Sequence, residues 1–71
     1  MLRKRSLNLA GHATSVALEP EFWAALARMA NEEGRSLTSV VAQIDAGRGA
    51  RPLASACRVA ALAWAGEVQL S

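Results

Sequence analysis

The 71-residue chain has one cysteine, one histidine, one phenylalanine and no tyrosine. A lone Cys57 rules out a disulfide within the chain. With His12 the only imidazole, there is no Cys/His set for a structural metal either. No paired carboxylates, nucleophile–base constellation or glycine-rich phosphate loop occurs, so neither an enzyme nor a bound cofactor is expected. Apolar runs long enough to cross a bilayer, about 18 residues or more, are also missing. The opening Met1-Leu2-Arg3-Lys4-Arg5 has the charge of a secretory leader, but Asn8, Gly11 and His12 break up the next stretch before an apolar core can form. The expected location is the cytoplasm, where a single thiol stays reduced.

What the chain does have is apolar surface. Hydrophobic residues make up 52% of it, too many for a disordered tail. A domain this short buries only about 60% of the surface its unfolded chain exposes. With no covalent or metal staple, burial against a second copy is the expected source of stability, which predicts an obligate homodimer. The net charge is only +2, but it is unevenly spread. Arg3, Lys4 and Arg5 open the chain with no acid before Glu19, whereas Glu19, Glu21, Glu32 and Glu33 face only Arg28 in the next stretch. Arg35, Arg48, Arg51 and Arg58 then outweigh Asp45. A basic front suits a polyanion.

The pattern along the chain predicts a short strand and three helices. Thr14, Val16 and Leu18 alternate with Ala13, Ser15 and Ala17, the period of a half-buried strand over 13–18. Leu7 and Leu9 alternate with Ser6 and Asn8, and Ala10-Gly11-His12 can turn the chain, so residues 1–11 form either a basic arm or the first half of a hairpin; one strand at 13–18 is the favoured reading. Pro20 starts a helix over 20–33, with Phe22, Leu26 and Met29 as its apolar stripe, widened by Trp23 and Ala30, and Gly34 as its stop. Ser36 caps a second helix over 37–46, whose apolar face is Leu37, Val40, Val41 and Ile44. After the Gly47–Pro52 loop, a third helix is expected over 53–65, with Leu53, Cys57, Ala60 and Trp64 on one stripe, Gly66 as its end and Glu67–Ser71 as a fraying tail. Truncating Phe22 or Ile44 to alanine is expected to cost about 2–5 kcal/mol each, as for a well-packed core side chain.

The stretch from Thr14 through Glu19-Pro20-Glu21-Phe22-Trp23 to Leu26 and Met29, followed by Gly34-Arg35-Ser36-Leu37, resembles the ribbon-helix-helix superfamily of Arc-type and methionine-repressor-type regulators. Ala10-Gly11-His12 and Val41-Ala42-Gln43-Ile44-Asp45 look more narrowly like a bacterial subgroup of ribbon-helix-helix domain proteins. The resemblance implies a mainly α fold in an intertwined homodimer. Its N-terminal strands pair between chains as a two-stranded antiparallel ribbon, with a third C-terminal helix added. It also implies double-stranded DNA as partner, with the ribbon in the major groove and the second-helix N-terminus on flanking phosphates.

Carried onto this chain, the groove-facing residues are Ala13, Ser15 and Ala17, and the phosphate-binding ones are Arg3, Lys4, Arg5, Arg35, Ser36 and Thr38. The three strand residues lack the Arg–guanine or Asn–adenine geometry that supplies most base discrimination. The functional expectation is a transcriptional regulator or antitoxin-like repressor. The alternative is a protein-interaction or oligomerisation module that uses the ribbon or the alanine-rich third helix. Trp23, Trp64 and Cys57 read as packing residues, and His12 as a turn residue.

Overall fold

A computed structural model of the chain describes residues 1–70. Its elements are β1 (Arg3–Leu9), β2 (His12–Leu18), α1 (Pro20–Glu32), α2 (Leu37–Gly47) and α3 (Leu53–Leu70). A two-stranded antiparallel sheet followed by three helices fits the expected mainly α architecture, and both strands come from this chain. β2 is paired along its whole length by β1 of the same chain, from Arg3 opposite Leu18 to Leu9 opposite His12. The basic arm is thus a strand, and it forms a hairpin with β2. The cause is local. Ala10 and Gly11 sit at φ 52° and 83°, positive at both central positions of a two-residue loop, as the turn that matches strand twist requires.

The first helix begins on Pro20, and the Glu19 carbonyl accepts the Phe22 and Trp23 amides. It ends where Gly34 turns left-handed (φ 64°), letting the Arg35 amide reach back to the Ala30 carbonyl at 2.8 Å. At the start of α2 the Ser36 hydroxyl accepts the Ser39 amide at 3.0 Å, the predicted N-cap. The third helix overruns its expected end. Gly66 does not adopt the left-handed conformation that would terminate it, and the stretch expected to fray is helical as far as Leu70; Ser71 lies outside the described residues.

The hairpin lies on α2 and α3, with β1 against α2 and β2 against α3, and α1 packs across the same two helices. Leu9, Val16 and Leu18 from the ribbon meet Leu26, Val41 and Cys57 in a core drawn from every element. The expected strand face is therefore the buried one. The α1 stripe is rotated from expectation: Trp23, Leu26, Met29 and Ala30 are buried, whereas Phe22 is only half-buried beneath the Arg58 guanidinium, 5.8 Å from its ring. Ile44 is half-buried as well.

Candidate nucleic-acid interface

In an antiparallel pair, residues opposite each other point to the same face. The register therefore sorts the ribbon into two faces. Arg3, Arg5, Leu7, Leu9, Thr14, Val16 and Leu18 turn towards the helices, and Lys4, Ser6, Asn8, Ala13, Ser15 and Ala17 turn away from them. On the outward face all but the half-buried Ala17 are exposed. The predicted residues Ala13, Ser15 and Ala17 are thus placed side by side, with Lys4 opposite Ala17.

Two members of this face, Ser6 and Asn8, are missed when only one strand is read. The signal is in the sequence. If Leu7 and Leu9 face the core, the alternation puts Ser6 and Asn8 on the opposite side. Asn8 matters chemically, because its carboxamide offers a donor and an acceptor in the plane that reads adenine in the major groove.

Arg3 and Arg5 are exposed at their tips yet lie in the helix-facing phase. The reason is Trp23. Its indole Nε1–H donates to the Arg3 carbonyl at 2.8 Å, and the Arg5 guanidinium stands 5.1 Å above its ring. One buried aromatic so ties β1 to α1 and sets the phase that turns Lys4 outward. The guanidiniums flank the ribbon, and no carboxylate lies within residues 1–18 to offset them.

Glu19, the first acid after β2, is neutralised locally. Its carboxylate accepts from Arg58 Nε at 2.9 Å, and this contact, with its backbone hydrogen bond, holds its pKa below the usual value.

The second group of predicted residues is less free. Arg35 donates to the Ser39 carbonyl at 3.0 Å, to the Ser39 hydroxyl, to Glu33 and to Gln43, so its guanidinium lies along α2. The Ser36 hydroxyl is used as the helix cap, and Thr38 is half-buried. What remains available at this end is the backbone N–H set of the first turn of α2. His12 is exposed beside the turn, and no groups of three or more His, Cys, Asp or Glu that could hold a metal occur among the described residues. Cys57 is fully buried, and burial raises its thiol pKa, keeping it protonated and unreactive. Among the described residues no helix is long and apolar enough to cross a membrane.

The arrangement is a two-stranded ribbon whose outer face is polar along one strand and small along the other. B-form DNA has a major groove about 12 Å wide, which admits such a ribbon. The profile of the ribbon-helix-helix domain matches residues 2–65. No curated protein and no solved structure gives a match. Members of that family generally bind DNA as dimers in transcription regulators. With a ribbon, a glycine-ended α1 and a serine-capped α2 spanned by the match, the chain belongs to the ribbon-helix-helix domain family.

Proposed function

We propose that the chain is a dimeric DNA-binding protein, a transcriptional regulator or antitoxin-like repressor of a bacterial cytoplasm, that lays its hairpin in the major groove. The observation that carries this reading is the outward face of the ribbon, where Lys4, Ser6 and Asn8 stand beside Ala13, Ser15 and Ala17. The small strand lets the ribbon sink towards the base edges, and the polar strand reads them. Lys4 supplies donors for guanine O6 and N7, and Asn8 supplies the paired donor and acceptor for adenine N6 and N7, each good pair being worth about 1–3 kcal/mol of discrimination. Arg3 reaches a phosphate at the groove edge, and Arg5 joins only by leaving the Trp23 ring. The first turn of α2, at Ser36 and Thr38, offers backbone N–H groups to a flanking phosphate. Arg35 joins only by giving up its bonds along α2.

The test is a mobility-shift titration on a random duplex pool at about 50 and 200 mM salt, followed by selection of preferred sequences. Binding is expected to weaken steeply with salt, since each phosphate contact releases condensed counterions. Asn8→Ala should flatten the base preference at one position while leaving binding to the unselected pool nearly unchanged. Lys4→Ala should relax the preference for guanine at one position. No shift at the lower salt would overturn the reading and leave the protein-interaction module, for which the open apolar face of α2 and α3 speaks.

A further inference from the structure

The third helix reaches the end of the ribbon through one ion pair. Arg58 Nε on α3 donates to Glu19 Oε1 at 2.9 Å, 39 positions earlier in the chain, and the same guanidinium lies over the Phe22 ring. Among the described residues this is the one ion pair that joins distant parts of the chain. The other two link residues two and three positions apart.

Glu19 follows directly on Leu18, which stands opposite Arg3 at the open end of the hairpin. It is two positions from Ala17 on the outward face, and no acid precedes it. A carboxylate here has a local use, because Glu19 is the N-cap of α1 and negative charge favours the positive end of a helix. Yet its side chain makes no capping bond to the first amides of α1, so α1 itself does not hold the carboxylate in place. Left free, it would stand beside the strand pair that carries Ala17 and Lys4 and repel a polyanion there. We infer that Arg58 is a positioning residue for the nucleic-acid interface, one that holds the Glu19 carboxylate against α3 and off the open end of the ribbon. This role rests on the DNA-binding reading above and gives α3 a part in it without contact with the duplex. The Arg58 side chain is 33% exposed and that of Glu19 40%, so the pair adds little to stability. Its effect is on where a charge stands. A freed carboxylate within a Debye length of the phosphates, about 10 Å at 0.1 M salt, weakens binding severalfold.

Mobility-shift titrations on the random duplex pool at about 50 mM salt test this, with circular dichroism showing that each variant is folded. Arg58→Gln should weaken binding about fivefold or more. Arg28→Gln removes an equal charge from an exposed position of α1 that has no carboxylate partner among the described residues, and should change binding less than about twofold. Glu19→Gln alone should stay within about twofold of the parent, since its carboxylate is already held away. Added to Arg58→Gln, it should bring the affinity back to within about twofold. Arg58→Lys keeps the cation and should stay within about threefold. If Arg58→Gln binds as well as Arg28→Gln, or if Glu19→Gln does not rescue it, the inference is overturned; in the second case Arg58 meets the duplex itself. Either result, with a parent that binds, leaves the DNA-binding reading standing. A parent that shifts no duplex overturns that reading and this inference with it.

Discussion

Trp23 is the residue on which the orientation of the ribbon turns, and its replacement can be followed through the structure. It is 3% exposed, packs in the core, and donates its indole N–H to the Arg3 carbonyl. Trp23→Ala removes the whole ring system and should cost about 3–5 kcal/mol. At roughly 0.05–0.15 kcal/mol per residue, that approaches the entire stability of so small a domain, so the variant is expected to be largely unfolded. Trp23→Phe is the sharper experiment. It keeps an aromatic plane beneath Arg5 but removes the N–H and one ring. The hydrogen bond contributes about 0.5–1.5 kcal/mol net, towards the lower value because the Arg3 carbonyl sits at a strand end and can turn to water. Incomplete refilling of the space raises the expected loss to about 1–3 kcal/mol. Urea denaturation followed by circular dichroism, at one protein concentration so that association does not shift the midpoint, measures the global loss. Hydrogen exchange should show faster opening of the β1 amides near Arg3 than of those near Leu9, since only the open end of the hairpin has lost its tether. If Trp23→Phe leaves both the midpoint and the β1 amides unchanged, the indole does not hold the ribbon, and Lys4 owes its outward position to something else.

Two further outcomes come from burial. Leu26→Ala, at a position with no exposed surface, should cost about 2–5 kcal/mol, and the half-buried Phe22→Ala distinctly less; thermal melts that reverse this order show that the α1 stripe is misplaced. Cys57 should resist thiol-specific reagents at neutral pH until the protein unfolds, because burial pushes its pKa above the ordinary value of about 9.0. The unfolded chain therefore releases this proton at lower pH than the folded one. The contribution is fully present below the unfolded pKa and is lost as pH rises through the folded one, so Cys57→Ala should flatten the alkaline fall in stability. Rapid labelling of the folded chain at neutral pH refutes this.

Most of the local structure is legible in the order of residues. Pro20 and Gly34 act through their own φ preferences and Ser36 through a hydroxyl that reaches an amide three residues on, so the boundaries of α1 and the start of α2 are set locally. The alternation from Thr14 to Leu18 likewise identifies the buried strand face, because period 2 is a property of the strand alone. The end of α3 is not legible in this way. A glycine stops a helix only if the chain takes up a left-handed turn there, and Gly66 does not. Ser6 and Asn8 lie in a short alternation with Leu7 and Leu9, and only the pairing of β1 with β2 fixes that they share the outward face with Ala13, Ser15 and Ala17.

What the sequence determined by itself is the order and kind of elements and the basic charge of the first strand, since these depend on residue periodicity and on φ preferences within a few residues. The tertiary structure alone decided which strand pairs with β2, because Ala10 accepts a positive φ that its side chain does not favour only where the closed hairpin is also packed on α2 and α3. It also decided which cations are free. Lys4 turns outward while Arg5 is held over Trp23 and Arg35 along α2, since long-range packing chooses the partner of each guanidinium and no local rule does.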